Sequence, residues 1–71
     1  MASDFTYEGE QNHQYVFLDK SSLQTFFLAA KPGATPELLD GDEVALPRPG
    51  YSNEVDVYSL RQQRQVRSES R

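Results

Sequence analysis

The sequence predicts a small α+β domain, and three patterns carry that expectation. Leu23, Phe26, Phe27 and Ala30 recur at i, i+3, i+4 and i+7, the spacing of one apolar stripe on an α-helix. Phe5 and Tyr7 alternate with Asp4, Thr6 and Glu8, as in a half-buried strand. Val44 and Leu46 alternate within Glu43–Pro47, and a second alternating run covers Glu54–Leu60.

Taken in order, the opening strand ends at Gly9, and Glu10 to Gln14 is polar enough for a turn or the first turn of a helix. Tyr15-Val16-Phe17-Leu18 fits a strand by its aromatic and β-branched content, but four residues also fit a short buried helix. The helix expected next is capped by Ser21 or Ser22, with Gln24 completing a capping box after Ser21. Lys31 suits its C-terminal dipole and Pro32-Gly33 stops it. A competing reading makes Tyr15–Leu18 and Leu23–Leu28 a hairpin around Asp19-Lys20-Ser21-Ser22. Thr35-Pro36-Glu37-Leu38-Leu39 reads as a further helical turn, with Thr35 as cap and Pro36 at the first position. Asp40-Gly41-Asp42 is a turn, and Pro47-Arg48-Pro49-Gly50 is an extended loop. In the last strand Val55 and Val57 share one face and Tyr58 and Leu60 the other, so both faces need cover. These elements place one domain in residues 1–60 and a basic polar tail in residues 61–71, where Val66 is the only aliphatic side chain. Leu23, Phe26, Phe27, Leu39, Val44 and Leu46 are the expected core.

Composition narrows the function classes. Seventy-one residues make one domain at most, and so short a chain is marginal alone. There is no cysteine, hence no disulfide and no thiolate metal ligand. Met1-Ala2-Ser3-Asp4-Phe5 has neither a cationic run nor a long apolar one, so no signal peptide is expected. Phe26–Ala30, the longest nearly apolar stretch, falls far short of the roughly 20 residues that span a bilayer. The net charge of −4 is unevenly spread. Residues 1–60 carry Lys20, Lys31 and Arg48 against ten acids, giving −7. Residues 61–71 carry Arg61, Arg64, Arg67 and Arg71 against Glu69, giving +3. An acidic body repels phosphate, which disfavours nucleic acid as a partner.

No catalytic constellation is visible. His13 is the only histidine and has no recognisable nucleophile or orienting group around it, so it reads as a polar loop residue. Asp40, Asp42 and Glu43 surround Gly41 but lack the ligand spacing of a calcium loop. No cofactor or metal is therefore expected. The candidate partner surface is the last strand and the tail: Tyr51, Val55, Val57, Tyr58, Leu60, Arg61, Arg64, Arg67 and Arg71. A helical tail would align its four arginines for docking on an acidic groove of another subunit. An extended tail would serve as well, through bidentate contacts with carboxylates.

Leu28-Ala29-Ala30-Lys31-Pro32-Gly33, followed by Leu38-Leu39-Asp40-Gly41-Asp42-Glu43-Val44-Ala45-Leu46-Pro47, resembles the second half of a LysM module. The match is nearer still to the phage tail protein X family, which is similar to LysM and carries a Leu-Ala-Ala-Asn-Pro-Gly stretch. Lys31 stands where that stretch has Asn. The resemblance implies a β-α-α-β fold with a small antiparallel sheet and an added C-terminal strand. It also implies a non-catalytic structural or adaptor protein of a phage tail or baseplate, located in the virion and partnered by other structural proteins and copies of itself. Two other readings remain. One is a peptidoglycan- or chitin-binding LysM module, against which the absent export signal and the single copy weigh. The other is a small acidic regulator or inhibitor that blocks a phosphate-binding cleft.

Overall fold

The computed structural model describes residues 2–71 and is all-β. It has seven strands: β1 (Phe5–Gln11), β2 (Gln14–Asp19), β3 (Thr25–Ala29), β4 (Glu37–Leu38), β5 (Glu43–Pro47), β6 (Glu54–Ser59) and β7 (Arg64–Ser70). They form two antiparallel sheets, β1-β2-β3 and β4-β5-β6-β7. Among the described residues there is no helix, which overturns the α+β expectation and the β-α-α-β arrangement implied by the LysM resemblance.

Local chemistry explains each change. Asn12 and His13 both adopt left-handed backbone, with φ of 52° and 64°, and link Gln11 to its partner Gln14. Two such residues make the two-residue turn whose twist suits a hairpin. Tyr15–Leu18, ambiguous in sequence, is the middle of strand β2. The segment expected as a capped helix is the β2–β3 loop and strand β3, as in the competing hairpin reading. The cap is supplied by Asp19: its Oδ1 accepts from the backbone N–H of Ser21 (2.9 Å) and of Ser22 (3.3 Å). Leu23, in left-handed backbone, closes the loop by donating to the Asp19 carbonyl at 2.8 Å. Pro32-Gly33 is not a helix stop. It occupies the middle of a turn in which the Ala34 N–H donates to the Lys31 carbonyl, with Gly33 at φ 71°. Proline then glycine with positive φ is the type II pattern. Residues 35–39, expected as a helical turn, supply β4 instead, with Glu37 opposite Ala45 and Leu38 opposite Val44.

The polar segment 61–71 is no tail. It forms the β6–β7 loop and β7, which pairs along β6 from Glu54↔Ser70 to Ser59↔Arg64. Val66 is the extra residue of a bulge between Val57↔Arg67 and Tyr58↔Gln65. The β6–β7 loop repeats the design of the β2–β3 loop. Gln63 is left-handed and donates to the Ser59 carbonyl, and Ser59 Oγ accepts from the Gln62 N–H.

The core lies between the sheets. Phe5, Tyr15, Phe17 and Leu28 come from one side and Val44, Leu46 and Leu60 from the other, with Tyr7, Phe26, Ala30, Leu38 and Tyr58 packed against them. Strand alternation turns Phe26, Leu28 and Ala30 inward and Thr25, Phe27 and Ala29 outward. Of the expected core, Val44 and Leu46 are fully buried and Phe26 packs at its edge. Leu23 is 69% exposed and Phe27 44% exposed, so neither belongs to it, and Leu39 is only half-buried. The buried Tyr15 hydroxyl donates to the Ala34 carbonyl at 2.8 Å and accepts from the Lys31 N–H at 3.1 Å, pinning the Pro-Gly turn onto the core.

Candidate interaction surface

The expected partner surface does not come together as one patch. Val57 and Leu60 have no exposed area. Tyr58 is half-buried, with Lys31 Nζ 5.6 Å from its ring centroid. Tyr51 is 56% exposed in the β5–β6 loop, with the Arg48 guanidinium 5.5 Å from its ring. Val55 is half-buried on the outer face of the four-stranded sheet.

Three of the four C-terminal arginines meet carboxylates of their own chain. Arg61 joins the two sheets: Nη1 lies 3.0 Å from Asp19 Oδ2 and Nη2 3.6 Å from Asp4 Oδ2. Its guanidinium sits 5.0 Å from the ring of Phe5, which meets Phe26 edge-on at 5.0 Å. Arg67 contacts Glu43 at 2.8 Å and Glu69 at 2.6 Å, and Arg71 contacts Glu37 at 2.6 Å. The register puts Glu37, Ala45, Val57 and Arg67 in one row across the outer face. The long charged side chains thus roof Ala45 and Val57, which are buried although they face away from the core. Arg64 is exposed, and its one side-chain hydrogen bond goes to the Gln65 carbonyl at 3.2 Å.

A further ionic cluster closes the inner face of β6. Asp56 accepts from Arg48 Nε at 2.9 Å and from Ser68 Oγ at 3.0 Å, with Lys31 Nζ 3.8 Å away. Burial pushes this carboxyl up, but the hydrogen bonds from Arg48 and Ser68 and the two nearby cations hold it below the usual aspartate value. The Asp19 carboxyl is lowered chiefly by the Ser21 N–H, then by Ser22 and Arg61, against an opposing burial effect. Hydrogen bonding from Arg67 lowers Glu43. These carboxylates are ionised, paired and engaged within the chain.

His13 is exposed in the β1–β2 turn. Among the described residues no cavity is enclosed, and no three His, Asp or Glu side chains gather as metal ligands. No helix of the described residues is long and apolar enough to cross a membrane.

The surface that sequence reasoning missed is the outer face of the three-stranded sheet. Register aligns Thr6, Leu18 and Thr25 in one row and Gly9, Val16 and Phe27 in the next. Leu23 protrudes from the adjoining loop. A signal for it exists: Ser21–Ala30 is the longest stretch of the sequence without a charged residue. The comparisons with known proteins add nothing to this picture, since no family model, curated protein or solved structure matches the chain.

Proposed function

We propose that the chain is a non-catalytic assembly or adaptor protein, binding other protein through the outer face of the three-stranded sheet. The observation that carries this reading is the exposed Phe27 ring, flanked by half-buried Leu18 and resting beside buried Val16, with Leu23 standing proud of the surface. Apolar side chains grouped on one open sheet face favour a protein partner. The setting we attach to it is a phage tail or baseplate, where the partners are other structural proteins. Support for that setting is the resemblance of residues 28–47 to tail protein X, and not the fold. The acidic-inhibitor reading loses ground, because Asp4, Asp19, Glu37, Glu43, Glu54, Asp56 and Glu69 are all paired with cations of the same chain.

Native extracts of cells that make the protein provide the test. The chain should travel in a particle much larger than its own 8.1 kDa. Phe27→Glu and Leu23→Glu should release it as a small species, with thermal melts close to the parent because both side chains are exposed. A parent chain that travels alone, or variants that keep their place in the particle, would contradict the reading.

A further inference from the structure

Two open sheets have four edges, and three of them are blunted against pairing. β1 carries Glu8 and Glu10 and a bulge at Glu8. β4 has only two residues. β7 carries Arg64, Arg67 and Glu69 and a bulge at Val66. Charges, bulges and short length are the usual devices that keep an edge strand from recruiting another chain. β3 has none of them. It reads Thr-Phe-Phe-Leu-Ala, regular along its whole pairing with β2, with neither charge nor proline.

The hydrogen-bond phase says which groups are free. The Ala30 N–H donates to the His13 carbonyl and the Asp19 N–H to the Gln24 carbonyl. In an antiparallel pair, hydrogen-bonded and non-hydrogen-bonded positions alternate. Phe26 and Leu28 are therefore bonded to β2, while the N–H and C=O of Thr25, Phe27 and Ala29 point away from it. Among the described residues nothing accepts or donates there.

We propose that this edge pairs with the same edge of a second copy, antiparallel about a two-fold axis at Phe27. The proposal rests on the assembly reading above and names its partner. In this register Phe27 faces the partner's Phe27, and Thr25 faces the partner's Ala29. All three outward residues then become hydrogen-bonded positions, and a six-stranded sheet runs through both copies. Charge selects a second copy as the occupant. An isologous contact sets a surface against its own image, and for a chain of net charge −4 the self-repulsion is least on an uncharged strip, which Ser21–Ala30 supplies. The two-fold arrangement also closes, leaving neither copy with a bare uncharged edge.

Amide hydrogen exchange of the full chain at rising protein concentration tests the pairing. The amides of Thr25, Phe27 and Ala29 should gain protection with concentration, while Phe26 and Leu28 are protected throughout. Phe27→Lys, which brings two like charges together at the axis, should weaken dimerisation about tenfold or more without unfolding the chain. Thr25→Lys and Ala29→Glu should each weaken it, and the double variant should recover it, since each new lysine then faces a new glutamate. A chain that stays monomeric up to about 1 mM overturns the proposal. So does association that leaves the amides of Thr25, Phe27 and Ala29 unprotected. In either event the broader assembly reading still stands or falls on the particle experiment.

Discussion

Phe17→Ala should leave the chain without a cooperative melt, whereas Phe27→Ala should melt almost as the parent does. Phe17 is fully buried in the central strand β2, packed with Tyr7 at a ring separation of 5.5 Å. Removing a buried phenylalanine costs about 3–5 kcal/mol, from lost transfer energy and the cavity left behind. At the usual stability per residue, a domain of this size has only roughly 4–10 kcal/mol in total. Phe27 is one residue type, in the neighbouring strand, with its ring on the open face. Its truncation removes little buried surface, and a cost of about 1 kcal/mol or less is expected. Thermal melts followed by circular dichroism read both. Equal losses for the two variants would mean that Phe27 is turned inward, as a helical stripe would have it.

Truncation after Leu60 should be at least as damaging. Residues 61–71 read in sequence as a separable tail, so their removal would be expected to leave a folded body. In the structure, β7 covers the whole length of β6. Without it the backbone of β6 becomes an unpaired edge, and Val57 and Ala45 lose the roof formed by Arg67 and Arg71. Asp56 loses Ser68, Glu43 loses Arg67, and Asp19 loses Arg61, the tie between the sheets. A buried or half-buried carboxylate stripped of its partner is costly. The shortened chain should show no cooperative unfolding and should be readily proteolysed. A truncated chain that retains the parent's melt would mean that β7 is an appendage after all.

The sequence discloses the second half of the fold better than the first. Strand β5 is legible to its ends, because Val44 and Leu46 alternate between a turn at Gly41 and a break at Pro47. Strand β6 is legible for the same reason, and its two apolar faces correctly demanded cover. What supplies that cover is not legible. Arg67 and Arg71 reach Glu43 and Glu37, whose distance in sequence hides the pairing. β7 escapes because it contributes backbone and charge to the sheet, with Val66 its sole aliphatic residue. β3 escapes for a different reason. Leu23, Phe26, Phe27 and Ala30 satisfy a helical period, while Phe26, Leu28 and Ala30 satisfy a strand period in the same eight residues. The paired phenylalanines and Thr25 favour a strand, and Asp19 caps the loop where the Ser21–Gln24 pattern predicts a helix cap. The same misreading hid the exposure of Phe27, because a helix would have turned it into the core.

Residues 21–30 form a loop and an edge strand whose outer face is open. Nuclear Overhauser contacts between backbone hydrogens test this most directly. The non-hydrogen-bonded pairs Gln14↔Ala29, Val16↔Phe27 and Leu18↔Thr25 place their Cα atoms closest, about 4.5 Å apart. Strong Hα–Hα contacts are therefore expected at those three pairs. Successive amide–amide contacts and i to i+3 contacts running from Leu23 to Ala30, without those cross-strand contacts, would restore the helix and contradict the account.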